Sequence, residues 1–305
     1  MQVLTNKRLV RILIRGCSCI LIGLAIFGFT GHFFSAGDSI ALLRLQIGVL
    51  LAVFTFGLFL IRAKYLAPTA LATAAIAIGS IALGFTAPSE DCNGSCLTLY
   101  QKNLMSRAWP RYSLADDIIT MNADIVTLQE VSDHNRKFMA NMYAHYQNKV
   151  SCRFRTYQDV AVLTNLPVVE GSEFCLTGYG VAGLQVVAPE GEAVWVVSVH
   201  LKWPFPFEQS AQSRRIAERI AELDGPVLIA GDFNMVPWGA SVKRIASAAE
   251  NEVFGTVENT HHLGRWSLPL SIDNLLFPKG TVGTVELRPY LGSDHLGKFA
   301  RFRLQ

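Results

Sequence analysis

The stretch Val227-Leu228-Ile229-Ala230-Gly231-Asp232-Phe233-Asn234 sets a carboxylate and an amide two residues apart, directly behind four apolar residues. The apolar run reads as a buried strand, ended by a turn at Gly231. In α/β sheets, ligands sit at that end of a strand. An Asp and an Asn there can orient a water and hold a phosphate oxygen. Taken alone, the stretch reads as a strand followed by a polar turn, so its chemistry depends on partners elsewhere.

Four other segments carry polar residues in the same kind of position. The alternation over 97–104 predicts a strand that delivers Asn103. A second apolar strand over 124–131 ends on Glu130, and glutamate is seldom buried without a partner. The run 193–201 is strand-like and carries His200 at its end. Near the C-terminus, a strand over 270–277 holds one acid, Asp273. The turn Gly292-Ser293-Asp294-His295-Leu296 then precedes a last strand at 298–304.

If these strand ends converge, the set is chemically coherent. Carboxylates and amide oxygens suit a hard cation such as Mg²⁺, or Mn²⁺. Histidines suit proton transfer or charge neutralisation near neutral pH. There is no G-x-S-x-G segment and no other clear covalent nucleophile. Metal-assisted attack of water on a phosphate ester is what such a set can perform.

The elements that must position these residues alternate in type. Helices are expected at 113–121, where Ser113 and Asp116 resemble a capping box, at 133–146 and at 210–223. Further strands are expected at 159–164 and 184–188. This is an α/β pattern.

The 305 residues have a mean hydropathy of +0.30, and the apolar excess lies at the front. Three nearly uncharged runs, 16–37, 45–61 and 65–89, each hold the roughly 17 or more apolar residues that a membrane helix needs. Three transmembrane helices are therefore expected in an anchor, residues 1–89, ahead of a catalytic domain, residues 90–305. Lys7, Arg8, Arg11 and Arg15 precede the first run, and Arg62 and Lys64 separate the second from the third. By the positive-inside rule the N-terminus is cytoplasmic, and three crossings leave residues 90–305 outside. Arg44 is the discordant charge.

Residues 1–87 hold seven Lys/Arg against one acid, and the remainder holds twenty against twenty-three. The net charge of +3 thus belongs to the anchor, and the rest is mildly acidic, which does not favour nucleic acid as a partner. Arg153, Arg155, Arg214, Arg215 and Arg219 form either a local basic patch or ordinary surface charge. The loop Trp203-Pro204-Phe205-Pro206-Phe207 could stack a base, pack on a lipid or seal a core edge. Cys92, Cys96, Cys152 and Cys175 are an even number in the exported part and lack paired C-x-x-C spacing. They read as disulfides, Cys152–Cys175 and Cys92–Cys96, rather than as a zinc site.

From about residue 97 to the end, the chain resembles the endonuclease/exonuclease/phosphatase superfamily. The matching pieces stand in the superfamily's order: Asn-Leu at Asn103, Leu-Gln-Glu-Val at Glu130, Ser-Val-His-Leu at His200, Gly-Asp-Phe-Asn at Asp232 and Asn234, Ile-Asp at Asp273, and Ser-Asp-His at Asp294 and His295. The resemblance implies a four-layer sandwich, two packed β-sheets flanked by helices. It also implies roles. Glu130 would hold Mg²⁺, with Asn103 and Asp294 close to it. His200 and Asn234 would contact the scissile phosphate, and Asp232 would orient the attacking water. Asp273 would hydrogen-bond His295, the base or transition-state stabiliser. Asp159 departs from the pattern, where many members have Gly, and is expected to point to solvent. Membrane-anchored bacterial members look most similar, which implies the inner membrane with a periplasmic catalytic domain. The activity implied is a phosphodiesterase or phosphatase; the alternatives are an extracytoplasmic nuclease and a non-catalytic binding module.

Overall fold

The computed structural model describes residues 2–82, 92, 94–107, 110–263 and 268–305. The chain falls into two compact units. One is Met1–Thr86 with the short segments Pro204–Pro206 and Trp238–Ala240, and the other is the remainder.

The first unit is helical: α1 (Gln2–Phe27), α2 (Ser35–Ala41), α3 (Arg44–Leu60) and α4 (Leu66–Ala82). Helices α3 and α4 pack through small residues. Ala70, Ala74 and Ala77 are buried, and a Cβ at Gly48 would come within 2.9 Å of Ile78. Small residues let helix backbones approach in this way. Large apolar side chains remain exposed, among them Ile12, Leu13, Val53, Phe56, Leu60 and Ile76.

The expectation of three spans is corrected by the helix lengths. Among the described residues one helix, Lys7–Phe27, is long and apolar enough to cross a membrane. Helices α2 and α3 would count as a second span only as one broken segment, bent by 65°. Within the described residues, helix α4 has 17 residues, about 25 Å at the helical rise per residue, against a hydrocarbon core of about 30 Å. The remainder of the third run, 83–89, lies outside the described residues.

The second unit begins with β1 (Leu97–Asn103), α5 (Tyr112–Met121), β2 (Ile125–Val131), α6 (Asp133–Phe138) and α7 (Ala140–His145). Next come β3 (Asn148–Arg155), β4 (Gln158–Thr164), β5 (Phe174–Leu176), β6 (Val181–Val187), β7 (Ala193–His200), α8 (Gln209–Ile220) and β8 (Val227–Asp232). The chain closes with α9 (Ala240–Ala248), β9 (Asn251–Val253), β10 (His261–Leu263), β11 (Leu268–Leu270), β12 (Asp273–Pro278), β13 (Val282–Arg288) and β14 (Gly297–Arg303). Two six-stranded mixed sheets result, in the orders β13-β14-β1-β2-β4-β3 and β5-β6-β7-β8-β12-β9. Each has one parallel pair near its centre, β1 with β2 and β7 with β8.

Strand alternation builds the core between the sheets. Leu97 and Leu99 of β1, Ile125 of β2, Val194 and Val196 of β7, Leu228 and Ala230 of β8, Leu275 and Phe277 of β12, and Ala300 and Phe302 of β14 form one apolar cluster. On the other face of the first sheet, Tyr100, Val126 and Leu128 pack with Leu114 and Ile118 of α5 and Met142 of α7. This is an α/β fold of two mixed sheets flanked by helices.

Two expected elements are broken. The helix at 133–146 is interrupted at Met139, where the backbone leaves the helical region. The strand at 270–277 is split at Ser271 and Ile272. The expected capping box at Ser113 is not used: helix α5 starts at Tyr112 with no side-chain cap. A capping box instead opens α6, where Ser132 and Asn135 satisfy one another's backbone N–H groups.

Candidate active site

Each inner row of side chains turns polar at its last positions. In β1, Leu97 and Leu99 are followed on the same face by Gln101 and Asn103. In β7, Val194 and Val196 are followed by Ser198 and His200. Strand β8 continues the row from Leu228 and Ala230 to Asp232, and β12 begins its row at Asp273. The sheets thus bring residues from four strands to one end of the core, where backbone register pairs Asp273 with Asp232 and His200 with Asp232. Gly231 permits this approach, because a Cβ there would run into the Val199 carbonyl.

At the centre is Asp232, buried. Its Oδ1 accepts the Asn234 backbone N–H at 2.8 Å, and its Oδ2 accepts the Asn103 amide at 2.8 Å. The Nε2 atoms of His200 and His295 lie 3.5 and 3.8 Å from the same Oδ2. Asn234 takes φ +46°, and its amide donates to the Leu201 carbonyl at 2.8 Å.

His295 Nδ1 and Asp273 Oδ2 are 2.8 Å apart. The other Asp273 oxygen accepts the Gln101 amide at 2.9 Å. Burial opposes charge on His295, but Asp273 and Asp232 outweigh it and raise the imidazole to about 10. Burial likewise opposes charge on Asp273, and His295 overcomes it, lowering the carboxyl to about 2. Asp232 differs: burial raises it to about 7 despite the pull of His295. His200 is lowered to about 4 by burial, against the attraction of Glu130. At neutral pH the site therefore holds a carboxylate–imidazolium pair and a neutral histidine, with burial pushing the Asp232 carboxyl above the usual aspartate range.

Glu130 reaches the site by an irregularity. Simple alternation would put it on the helix-covered face with Val126 and Leu128. The β2–β4 register shifts between Leu128 and Val131, and Glu130 takes φ +56°, so the alternation is broken there. Its Oε2 accepts the Ser106 backbone N–H at 2.8 Å. Burial would raise the carboxyl, but His200, Ser106 and Asn103 together bring it below its ordinary value.

The structure thus gathers Asn103, Glu130, His200, Asp232, Asn234, Asp273 and His295. Asp294 is exposed, and its carboxylate, a His261 ring nitrogen and a His295 ring nitrogen lie within 4.8 Å of one another; Asp232, Asp273 and His295 form a second such group. The carboxylates of Glu130 and Asp294 and the carbonyl oxygen of Asn103 are hard donors of the kind divalent cations take, although among the described residues Asp294 groups with His261 and His295 rather than with Glu130. Asn103 shares its amide between two jobs: its Oδ1 accepts the Met105 N–H at 2.9 Å while its Nδ2 serves Asp232.

Several supporting residues were not anticipated. Gln101 donates to both Asp273 and Gln129, and Gln129 donates to Ser198 at 3.0 Å, making a buried chain across both sheets. Buried Lys102 donates to the His295 carbonyl at 2.6 Å. Gln212 of α8 donates to the His200 carbonyl at 2.9 Å. His261 lies 4.5 Å from the His295 ring, centroid to centroid.

The expectation for Asp159 is corrected: it is buried, held by Arg153 at 2.8 Å and Arg136 at 3.3 Å. A carboxylate flanked by two guanidiniums loses little by leaving water. The cysteines pair as expected, Cys92 with Cys96 and Cys152 with Cys175. In the loop after His200, Phe205 and Phe207 are exposed, and Trp203 lies against His261.

Residues 103–295 match the Endonuclease/Exonuclease/phosphatase family. Among solved structures, the chain is similar to an endonuclease/exonuclease/phosphatase from Bacteroides vulgatus, with a TM-score of 0.57 and 14% identity over 70% of this chain and 100% of the other. It is also similar to humanized D. rerio TDP2, with a TM-score of 0.54 and 18% identity over 69% and 100% of the two chains. The human Nocturnin catalytic domain, with bound sulfate anion, gives 0.54 and 16% over 71% and 97%. At these identities the likeness is one of fold. No curated protein matches the chain. The matched segment spans the residues gathered at the sheet ends from Asn103 to His295, and the chain belongs to the Endonuclease/Exonuclease/phosphatase family.

Proposed function

We propose that this chain is a divalent-metal-dependent hydrolase of phosphate esters, a phosphodiesterase or phosphatase, held at a membrane with its catalytic unit outside the cytoplasm. The observation that carries the reading is the Asp273–His295–Asp232 constellation at the sheet ends. Asp273 fixes His295 through Nδ1 and keeps it an imidazolium. The Nε2 of His295 is left 3.8 Å from Asp232, where it can donate to a phosphate oxygen and offset the charge that grows during attack. Asp232, raised to about 7, takes the proton from the attacking water, because a base is most effective when it titrates near the working pH. Asn103 and the Asn234 N–H keep its carboxylate in orientation. The His200 ring and the Asn234 amide group hold the remaining phosphate oxygens. Glu130, with Asn103 and Asp294, would hold Mg²⁺, which when bound supplies Lewis-acid charge to the phosphate.

Full-length protein in detergent with Mg²⁺ is expected to hydrolyse at least one of bis(p-nitrophenyl) phosphate, p-nitrophenyl phosphate, a short DNA or RNA, or a phospholipid. Strong chelation should abolish that turnover and added Mg²⁺ should restore it. No turnover on the whole panel, or turnover indifferent to chelation, contradicts the reading. The mild acidity of the catalytic unit favours small or lipid phosphate esters over nucleic acid.

The membrane part of the reading rests on the apolar side chains exposed on α1, α3 and α4 and on the Lys/Arg bias. Paired cysteines favour an oxidising compartment such as the periplasm, so the anchor crosses an odd number of times. A reporter active only outside the cytoplasm, fused after Gln305, should be on; an active cytoplasmic reporter at that site instead contradicts the orientation.

A further inference from the structure

We propose that the cleft beside Glu130 is a subsite for a second phosphate group of the substrate, an inference that rests on the phosphoesterase reading above. The cleft measures about 740 Å³ and lies between Ser106–Arg107, the start of α6 and the β3–β4 hairpin. It adjoins the candidate active site at Ser106. Ser106, on its wall, gives its N–H to Glu130 and receives the Gln158 amide on its hydroxyl at 3.0 Å. A group bound in the cleft would therefore be a near neighbour of the ester being cleaved.

The charge of the cleft selects an anion. Its lining includes Arg107, Lys137, Arg153 and Arg155 against Asp133 and Asp159. The two acids are engaged with arginines: Asp159 with Arg153 and Arg136, and Asp133 with Arg136. Among the described residues, Arg107, Lys137 and Arg155 have no carboxylate at ion-pair distance, and all three are exposed. Three unneutralised cations around one concavity suit a phosphate, which accepts several charge-assisted hydrogen bonds at once. The hairpin is also held in place, since the Cys152–Cys175 bond ties β3 to β5. By contrast, Arg215 and Arg219 on α8 are matched by Glu218 and Glu222 one turn on. Of the five arginines that the sequence offers as a patch or as ordinary surface charge, Arg153 and Arg155 line the cleft, together with Arg107 and Lys137.

The test compares substrates that differ by one phosphate, using full-length protein in detergent. One pair is thymidine 5′-(p-nitrophenyl phosphate) and its 3′-phosphorylated form; the other is glycerophosphoinositol and its 4-phosphate. For at least one pair, the second phosphate should raise kcat/KM about tenfold or more, the worth of one good charged hydrogen bond. The preferred pair identifies the source of the phosphate, nucleotide or inositol. The Arg107→Gln/Lys137→Gln double variant should erase the preference, whereas Arg215→Gln should keep it. Because the readout is a ratio, a general loss of activity cancels. Calorimetric Kd values in chelator, with no turnover, should give the same ratio. Equal kcat/KM and equal Kd within both pairs overturn the subsite, as does a preference that survives the double variant. A Kd preference without hydrolysis of either pair supports the subsite and counts against the phosphoesterase reading alone.

Discussion

Glu130 illustrates what single residues disclosed and what they concealed. Its type and its place at the end of an apolar strand marked it for chemistry. Its direction could not be read, because alternation sends it to the helix-covered face, and the bulge at Leu128–Val131 with φ +56° reverses that. Asp232, Asp273, His200 and Asn103 were legible because a polar residue on an otherwise apolar inner row has few other reasons to be there. Gln101 and Gln129 were not, since a glutamine within a strand reads as a solvent-facing residue until its cross-sheet partners are known. His261 was hidden in β10, a strand of three residues. If Glu130 is a metal ligand, Glu130→Gln retains shape and removes charge. In the Mg²⁺ assay, turnover should fall by orders of magnitude and recover in part at high metal, with the melting temperature little changed. Undiminished turnover in this variant contradicts the assignment.

At the scale of elements, strands with strong apolar runs were legible to within a few residues, as at 193–201 and 227–234. The hairpin formed by β13 and β14 was not, because Gly280 and Gly283 make its first strand look like a turn. That hairpin carries a clamp on the site's sheet. The Tyr100 hydroxyl of β1 donates to Asp117 of α5 at 2.7 Å, and Arg288 of β13 donates to both Asp117 oxygens. Burial would raise the Asp117 carboxyl, but Arg288 and Tyr100 outweigh it and hold it below its ordinary value. A carboxyl depressed in the folded state adds stability above its unfolded value, about 3.9, and that stability is lost as pH falls through the folded value. Asp117→Asn is therefore expected to cost about 1–3 kcal/mol at pH 7, by leaving charged and hydroxyl partners unmatched. The difference in Tm from the unaltered chain should shrink as pH falls toward 3. A difference constant from pH 3 to 7 contradicts the ionic role of this clamp.

At the scale of the whole molecule, the residue types and their order in the chain were legible, but not the sheet orders that make them meet. Asn103 and Asp232 are 129 positions apart, and Gln101 and Asp273 are 172 apart. Such contacts depend on β1 and β8 ending, and β12 beginning, at one level in two different sheets. The first unit departs from three expected spans for a related reason: hydropathy measures apolar length, whereas helix breaks at 41–44 and 60–66 decide how much of that length is continuous helix. If the two sheets assemble one catalytic unit, Asp273 acts only through His295. A double-mutant cycle on the full chain tests it most directly, with turnover measured on the best phosphate ester and folding checked by melting temperature. His295→Ala should lose about a thousandfold or more. Asp273→Asn should lose less, and the double variant should be little worse than His295→Ala, because paired residues fail together. Losses that simply multiply, or near-normal turnover in His295→Ala, would contradict the account.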